Sequence, residues 1–341
     1  MALVLPLLDM RATAASFSSS CRVLADYIIT SLNNESKVEE FIILGFPGAT
    51  PLPHIFFVLL MITYLVTLLS NCMIVLIIST EQNLQTPMYF YLRSFSLLEI
   101  CYVSVIVPKL LATITPHGKL ISFCNCIMQL FLFFYFAAAE CFLLGIMAFD
   151  RYLAICNPLH YSALMSIYMC RNLMLGSWLG SFAVTFPAVM SISQLSFCGN
   201  NFINHFFCDA PPLLKLSCGN TSSSDLLGFI STIVVVLTSF CTIMFSYLYI
   251  LRTVQKMCSS EGRKKAFSTC GSHLIVVVIY YSTVTFMYAR PKLSFAFTLN
   301  RVVAVFYTVI TPILNPMIYC LRNRIVIDSI RKKILFLKDF P

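Results

Sequence analysis

The sequence predicts an all-α integral membrane protein, folded as a bundle of seven transmembrane helices. Hydrophobic residues make up 59% of the 341 residues and charged residues only 11%, whereas a soluble domain carries about 25% charged residues. The hydrophobic residues fall into stretches of about 20 or more, the length that a helix needs to cross a hydrocarbon core about 30 Å thick. No stretch alternates with a period of two, so strands of a membrane barrel are not indicated.

Seven stretches meet this length, and we number them spans one to seven. They cover residues 55–78, 88–107, 121–155, 173–192, 226–251, 266–288 and 302–321. We therefore expect residues 1–53 to precede the bundle, residues 54–321 to form the membrane domain, and residues 322–341 to form a tail with a short amphipathic helix.

The basic residues predict the orientation, because cytoplasmic segments carry an excess of lysine and arginine. Basic residues form two clusters. The first lies between spans five and six and comprises Arg252, Lys256, Arg263, Lys264 and Lys265, and the second follows span seven and comprises Arg322, Arg324, Arg331, Lys332, Lys333 and Lys338. The segment before span one is acidic, with Glu35, Glu39 and Glu40. We expect the N-terminus outside and the C-terminus in the cytoplasm, with the net charge of +9 serving topology and contact with anionic lipid, not nucleic acid.

Residues 1–33 do not resemble a packed domain. The opening "MALVLPLLDM" has no basic region before its short apolar run, so a cleaved signal peptide is not expected. The serine-rich "ASFSSSC" indicates a flexible, disordered extension. Asn34 begins an N-glycosylation sequon on the expected outer side, and Asn220 begins a second one.

Most of the 15 cysteines lie within the spans, where cysteine behaves as a small hydrophobic residue. Four lie elsewhere: Cys126 at the expected outer start of span three, and Cys198, Cys208 and Cys218 between spans four and five. Thiols outside the cell form disulfides, and these four allow three pairings. A zinc site built on His205, Cys208 and Asp209 is the alternative.

Two acidic residues lie deep within spans, Glu99 in span two and Glu140 in span three. Charged groups are costly in hydrocarbon, so both should face the bundle interior, and Asn71 and Asn315 can join them. Neighbouring carboxyl groups bind a cation or share a proton. A sodium or proton site is one interpretation, and a neutral hydrogen-bonded cluster is the other.

Asp150 and Arg151 lie side by side near the end of span three. Arg151 follows Cys126 by a helical rise of about 37 Å, which is enough to cross the apolar core. If Cys126 lies outside, the pair lies at the inner boundary, where its charges reach water or headgroups. An interfacial anchor without further role is the alternative interpretation. Pro312 and Pro316 should bend span seven.

An ordered series of motifs along most of the chain resembles one known family. The motifs are "EFIILGF", "TPMYFYLRSFSLLEIC", "VPKLL", "MAFDRYLAICNPLHY", "SYLYI", "KAFSTCGSHL" and "PILNPMIYCLRN". In this order they resemble the olfactory (odorant) receptors, a branch of the rhodopsin-like G-protein-coupled receptors. The resemblance implies a multi-pass receptor of the plasma membrane that is not an enzyme and has the lipid bilayer as its surroundings.

The resemblance also implies an activation switch. Arg151 would rest in an ion pair with Asp150 and turn toward span five and the G protein on activation. Residues that match the other switch motifs are Tyr152, Tyr247, Asn315, Pro316 and Tyr319. The family pattern pairs Cys126 with Cys208 and Cys198 with Cys218. It also places Glu99, Glu140 and Asn315 in a sodium-associated cluster, and no other cofactor is expected.

Candidate ligand-binding residues lie in the expected outer half of the bundle. Those that match pocket positions of the family are Phe133, Phe134, Ala137, Ser231, Thr232, Tyr281, Val284, Thr285, Tyr288 and Thr308. The four on span six follow the spacing of one helix face. Such a surface is mainly apolar with a few hydroxyl groups, which suits a small, uncharged volatile molecule. Ordinary helix packing is the alternative for each residue taken singly.

The resemblance implies that odorant binding shifts the bundle toward an active packing. The active state would engage a heterotrimeric G protein of the stimulatory olfactory type and raise cyclic AMP. The alternative function is an ion-coupled secondary transporter that uses Glu99 and Glu140, although the seven spans show no internal repeat. A membrane enzyme is not indicated, because no nucleotide loop, nucleophile elbow or HExxH motif is present.

Overall fold

The computed structural model describes residues 38–46, 53–114, 117–198, 200–257, 259–288 and 303–321, and most of these residues are helical. The helices, in chain order, are α1 (Pro53–Thr80), α2 (Pro87–Ala112), α3 (Phe123–Cys156), α4 (Tyr161–Leu164), α5 (Ile167–Ser193), α6 (Ala210–Leu216), α7 (Ser222–Lys256), α8 (Ser260–Tyr288) and α9 (Thr311–Leu321). Short 3₁₀ turns cover Gln82–Leu84 and His117–Lys119.

Five of these helices are long and apolar enough to cross a membrane: α1, α2, α3, α5 and α7. This confirms spans one to five as apolar helices. Span six corresponds to α8, in which a shorter apolar stretch covers Cys270–Val284, and span seven corresponds to the apolar segment Val303–Ile318. The seven-span count as a whole stays a prediction.

Several helix ends differ from the predicted ones. Helix α5 begins at Ile167 instead of residue 173, because the Ser166 hydroxyl accepts a hydrogen bond from the Met169 N–H at 3.3 Å and caps the helix there. Helix α7 continues to Lys256 past the predicted end at residue 251. Hydropathy marks only the part of a helix that is apolar, so polar end turns are missed.

A small β-sheet, which the sequence did not predict, accompanies the helices of this mostly helical fold. Its strands are β1 (Glu40–Ile43), β2 (Leu120–Ser122) and β3 (Phe202–Ile203), in the order β2-β1-β3. Strand β1 pairs antiparallel with β2 and parallel with β3. Residues 121 and 122 therefore belong to a strand, not to span three, and α3 begins at Phe123. Strands this short have no readable period.

Helix α3 lies centrally in the bundle and packs against α2, α5, α7 and α8. Its contact with α7 is close at Gly145, where an added Cβ would lie 3.6 Å from the backbone of Ser239. We call the end of the bundle that carries the β-sheet and Cys126 the disulfide end. The opposite end of α3 carries Asp150 and Arg151, and we call it the Arg151 end.

Span seven is not one regular helix. A π-helical turn covers Phe306–Ile310 and precedes α9, and the Thr311 hydroxyl donates to the Phe306 carbonyl at 3.0 Å. Pro312 lacks the N–H that a regular helix would use one turn back, and local widening of this kind is a known cause of helix kinks. Pro316 lies inside α9.

Candidate functional site

Asp150 and Arg151 lie at the end of α3, and both are shielded from solvent. Asp150 is 1% exposed and Arg151 is 11% exposed, with 3.9 Å between Asp150 Oδ2 and Arg151 Nη2. That distance is too long for a hydrogen bond. The closer partner of the carboxylate is Tyr161 on α4, whose hydroxyl donates to Asp150 Oδ1 at 2.8 Å. Asp150 is therefore fixed by Tyr161 more firmly than by Arg151.

Tyr161 is suited to this role because its hydroxyl stays protonated. Burial raises the pKa of Tyr161, and the negative charge of the neighbouring Asp150 raises it further. A protonated hydroxyl is the form that can donate to a carboxylate. Tyr161 was not predicted from the sequence, although it is the last residue of the motif "MAFDRYLAICNPLHY".

A second contact links three helices close to the same end. The Tyr247 hydroxyl of α7 lies 2.7 Å from His273 Nδ1 of α8, and His273 Nε2 lies 3.1 Å from the Leu144 carbonyl oxygen of α3. A carbonyl only accepts, so Nε2 carries the proton, and in the neutral ring Nδ1 accepts from the Tyr247 hydroxyl. His273, which was not predicted from the sequence, thus joins α3, α7 and α8.

The other predicted switch residues are distributed more widely. The Tyr152 ring packs against Phe245 and Tyr249 of α7, at centroid distances of 5.7 and 5.6 Å. Pro316 is buried within α9. Tyr319 belongs to α9, but its side chain lies outside the described residues, so its predicted role is untested.

Leu159 is an exposed apolar residue in the connection between α3 and α4, and it is 90% exposed. A single exposed leucine is ordinary on a soluble surface. Here it lies at the Arg151 end, two residues before Tyr161, where the sequence analysis assigned no contact.

The acidic residues of spans two and three come together in the bundle interior. Glu99 is fully buried and Glu140 is 2% exposed, and the Asn315 amide nitrogen donates to Glu99 Oε1. Glu99 Oε2 and Glu140 Oε1 have no hydrogen-bond partner within the described part of the chain. Carboxylate oxygens of this kind can coordinate a sodium ion or share a proton. Asn71 instead donates to the Thr67 carbonyl of its own helix.

The predicted aromatic ligand residues of α3 lie in an apolar cluster near the disulfide end. Phe133 is 1% exposed, and its ring centroid lies 4.9 Å from that of Phe207 and 6.0 Å from that of Tyr307. Phe134 and Ala137 are half-buried against the same cluster. Phe133 is thus covered by the connection that carries Phe207, which the sequence analysis did not assign to the site.

Two adjacent tyrosines of α8 form hydrogen bonds to α3 and α7 near the candidate ligand residues. The Tyr280 hydroxyl donates to the Ala137 carbonyl of α3 at 2.8 Å, and the Tyr281 hydroxyl donates to the Ser239 hydroxyl of α7 at 2.6 Å. Tyr281 was predicted to contact ligand, whereas Tyr280 and Ser239 were not. Val284 packs on the hydrophobic cluster that contains both tyrosines.

The predicted hydroxyl residues bond to their own helices. Thr232 donates to the Gly228 carbonyl at 2.9 Å, and buried Thr308 donates to the Ala304 carbonyl at 2.6 Å. Ser231 is half-buried. The side chains of Thr285 and Tyr288 lie outside the described residues.

Two clefts open on the bundle surface, and none of the predicted ligand residues lines either one. The first, of 570 Å³, lies between α2, α3 and the sheet and is lined by Lys109 and Gln129. The second, of 420 Å³, lies between α3, α5 and α7. The ligand-binding role of these residues therefore stays a prediction.

One disulfide joins the connection between α5 and α7 to α3, and a second lies within that connection. Cys126 is bonded to Cys208 with 5.5 Å between their Cα atoms, and Cys198 is bonded to Cys218 with 5.8 Å. These are the pairings that the resemblance implies. They remove Cys208 as a thiolate ligand and with it the zinc alternative, and no metal-binding group of three His, Cys, Asp or Glu residues occurs in the described ranges.

The remaining sequence candidates concern modification and the termini. Asn220 is exposed, and its side-chain oxygen accepts the Ser222 N–H at 2.9 Å. Asn34, the extension 1–33 and the tail 322–341 with its expected amphipathic helix lie outside the described residues.

Long apolar helices around a buried polar centre, with a charged pair at one end, define a polytopic helical membrane protein. A sequence profile of the olfactory receptor family matches residues 60–338. Olfactory receptor 6B1 of Homo sapiens is 45% identical over 301 residues, covering 88% of this chain and 96% of the relative. Olfactory receptor 6Y1 of Homo sapiens is 46% identical, covering 90% and 94%. Olfactory receptor 226 of Rattus norvegicus is 45% identical, covering 90% and 95%.

The chain belongs to the olfactory receptor family. It is accordingly a multi-pass protein of the plasma membrane, and a receptor rather than an enzyme. The resemblance read from the ordered motifs is confirmed.

Proposed function

We propose that this chain is an odorant receptor with seven transmembrane helices, its N-terminus outside and its C-terminus in the cytoplasm. The five long apolar helices, the apolar stretches of α8 and the last segment support the count. Disulfides at one end support an extracellular location of that end. The basic residues after α7 and in residues 322–341 support a cytoplasmic location of the other.

The ligand is a small, mostly apolar, uncharged volatile molecule. Phe133, Phe134, Ala137, Val284 and Tyr281 offer apolar surface with one hydroxyl group, and apolar surface with a few polar groups is the usual lining of a small-molecule site. Binding requires these side chains to separate, because they pack against neighbouring residues in the described conformation.

The observation that carries the mechanism is that α8 is hydrogen-bonded to both α3 and α7 at two levels. Near the candidate ligand residues, Tyr280 and Tyr281 make these bonds. Nearer Arg151, His273 makes both. A ligand that inserts beside Tyr281 can therefore move α8 as a unit and weaken the His273 contacts at the other level. Only a difference in ligand affinity between the two packings can produce this shift.

The signalling partner is a heterotrimeric G protein of the stimulatory olfactory type, and the output is a rise in cyclic AMP. Among the described residues, the ion pair of Arg151 is the 3.9 Å contact with Asp150, which is too long for a hydrogen bond, so Arg151 can turn to a partner at little cost. Leu159, exposed in the connection that follows α3, offers an apolar contact. The transporter alternative has no specific observation in its favour.

Glu99, Glu140 and Asn315 form the candidate sodium site. Glu99 Oε2 and Glu140 Oε1, which have no hydrogen-bond partner among the described residues, would bind the ion, and the Asn315 amide keeps Glu99 oriented. An ion there would neutralise two adjacent buried charges and favour the described packing.

The test is a screen of volatile compounds on cells that express the wild type or Arg151→Ala, with cyclic AMP and surface delivery measured together. We expect the substitution to abolish the response while surface delivery persists. Arg171→Ala, at an exposed arginine of α5, is the matched control and should respond normally. An undiminished response of Arg151→Ala contradicts the assigned switch. Labelling that places Lys264 and Asn34 on the same side of the membrane contradicts the topology.

A further inference from the structure

The connection between α5 and α7 places three adjacent aromatic side chains inside the bundle at the disulfide end. His205, Phe206 and Phe207 are buried, and the His205 ring centroid lies 4.6 Å from the centroids of both phenylalanine rings. Connections usually run over the surface of a protein, so three buried side chains in a row indicate a specific contact. We call residues 205–207 the aromatic cover, because the Phe207 ring lies against the Phe133 ring.

One edge of the aromatic cover is fixed covalently. Cys208, the next residue along the chain, is bonded to Cys126 of α3, and its N–H donates to the Gln129 side chain at 3.0 Å. Disulfides rearrange in minutes to hours unless the exchange is catalysed. This edge therefore stays closed while small molecules bind and leave.

The other edge is held by non-covalent contacts with residues 44–46, which follow β1. The Leu44 N–H donates to the Ile203 carbonyl and the Gly45 N–H donates to the His205 carbonyl, both at 3.0 Å. Gly45 has a φ of +66°, a backbone conformation that glycine adopts without strain. The chain thus turns at Gly45 and continues along the aromatic cover.

Phe46 completes this edge with a ring contact. Its ring is stacked on Phe206, at a centroid distance of 5.1 Å and an interplanar angle of 15°, and lies edge-on to Phe56 of α1 at 5.3 Å. Phe206 in turn lies 5.1 Å from Phe207. Ring contacts therefore run without a break from Phe46 through the aromatic cover to Phe133. Side chains move far faster than disulfides exchange, so Phe46 is at the edge that can open.

We propose that Phe46 is a positioning residue of the candidate odorant site. Through its stack on the aromatic cover it keeps Phe207 over Phe133. When Phe46 leaves the stack, the cover tilts about its disulfide-bonded edge and uncovers the site, while the disulfides and the β-sheet stay intact. The inference deepens the proposed function and rests on it, because it takes Phe133 and Ala137 as odorant residues.

The chemistry of this edge matches the proposed ligand. Phe46, Phe206 and Phe207 offer ring surfaces, and an apolar molecule can exchange one ring contact for another as it passes. An ion would lose water without gaining a partner among these rings, which is costly. The edge therefore admits a small, uncharged, apolar molecule, and a weaker Phe46 stack should speed both its entry and its exit.

The test measures how fast a small reagent reaches a cysteine placed in the site. The reporter is the full chain with Ala137→Cys, purified in phosphatidylcholine nanodiscs. The probe is methyl methanethiosulfonate, a small neutral reagent that transfers a methylthio group to a thiolate. Mass spectrometry follows the modification of residue 137 over time, and the free, exposed Cys72 is the internal reference.

We expect Phe46→Ala to raise the rate at residue 137 about threefold to tenfold relative to Cys72, as expected for the loss of one aromatic contact. Phe46→Tyr keeps the ring and should react as slowly as the reporter with Phe46. Phe202→Ala, at an exposed phenylalanine of β3, is the matched control and should also react slowly. If Phe46→Ala does not fold, Phe46→Leu, which keeps apolar volume without the ring, replaces it with the same expectation.

Three results would overturn the proposal. The first is an equal rate with and without the Phe46 ring, because the reagent would then reach residue 137 by another path. The second is a Phe46→Tyr variant as fast as Phe46→Ala. The third is an equal acceleration at Cys72 or in Phe202→Ala, which would indicate general loosening. Because labelling needs neither odorant nor G protein, a failure here is distinct from a failure of the odorant-receptor proposal, which the Arg151→Ala comparison tests.

Discussion

The two ends of the bundle are held together by different kinds of interaction. At the disulfide end, two covalent bridges and a three-stranded sheet bring together segments that are distant in sequence. Gln129 adds a link there, since its side chain donates to the Val105 carbonyl and accepts from the Cys208 N–H, at 2.9 and 3.0 Å. At the Arg151 end, the contacts are non-covalent. They are hydrogen bonds to Asp150 and His273 and a 3.9 Å ion pair.

This difference matches what a receptor needs at each end. A covalently tied end keeps its shape while ligands come and go, because a disulfide restricts the chain more than any single hydrogen bond does. The Arg151 end is held by a few hydrogen bonds that contribute about 1 kcal/mol each. A ligand that prefers one packing over another typically shifts the equilibrium by about 1–3 kcal/mol, which is enough to break such bonds. Substitutions at five positions test this difference between the two ends.

The largest expected effect comes from breaking the disulfide end with Cys208→Ser. A loop closed over a sequence separation of 82 contributes about 4 kcal/mol to the free energy of unfolding in the chain-entropy view. Cys198→Ser opens a shorter loop, of separation 20, and should lose about 3 kcal/mol. Thermal unfolding of the purified receptor and its surface fraction in cells measure both.

Cys72→Ser is the matched control, since Cys72 is a free, exposed cysteine. It should unfold as the wild type does. Equal stability of Cys208→Ser and Cys72→Ser would mean that the disulfide end is not the rigid one.

The next largest effect should come from His273→Ala at the Arg151 end. The substitution leaves the Tyr247 hydroxyl and the Leu144 carbonyl without their partner, and we expect a loss of about 3 kcal/mol of unfolding free energy. Thermal unfolding tests this, with His160→Ala as control because His160 is exposed between α3 and α4. If both histidine variants unfold alike, His273 does not join the three helices.

Tyr161→Phe should have a smaller effect on stability and a visible effect on signalling. It removes the hydroxyl donor of Asp150 and should cost about 1–2 kcal/mol. Without the Tyr161 hydroxyl, Asp150 is no longer held in place beside Arg151, so Arg151 should leave its resting position more easily and ligand-independent cyclic AMP should rise. Tyr168→Phe, at a residue that is 73% exposed, is the control. Basal signalling equal to that of the control would show that Tyr161 does not restrain the switch.

The smallest effect is expected from Ser239→Ala, between the two ends. Loss of the acceptor for Tyr281 should cost about 1 kcal/mol and raise the half-maximal odorant concentration about fivefold. Dose–response curves of cyclic AMP measure this. Ser246→Ala is the control, because buried Ser246 donates only to the Thr242 carbonyl of its own helix, at 2.8 Å. A shift of the same size in both variants would remove the specific role of Ser239.

Much of the architecture was predictable because it depends on local composition. Spans one to five appear as long apolar helices, and the acidic residues of spans two and three face the interior as the cost of charge in hydrocarbon requires. The helix ends were less predictable, as Ser166 shows: a capping hydroxyl decides the first turn of α5, and hydropathy does not register it.

The contacts of the site were less predictable than the residues in it. Asp150 was paired with Arg151, yet its closer partner is Tyr161. Tyr247 was assigned to the switch, but nothing in its neighbourhood along the chain indicated His273. Phe133 was assigned to the pocket, whereas its cover by Phe207 depends on how the Cys126–Cys208 bridge seats the connection.

The sequence by itself determined that this chain is a membrane protein built of apolar helices. It also determined which residues within those helices are polar and to which family the ordered motifs belong. Only the tertiary structure decided which of those polar groups meet. The Asn315–Glu99 and Tyr280–Ala137 hydrogen bonds join residues 216 and 143 positions apart. The physical reason is that hydrophobicity and helical period depend on residues close together in the sequence. Contacts between distant residues depend instead on how each helix is rotated and how deep it lies once all the helices are packed.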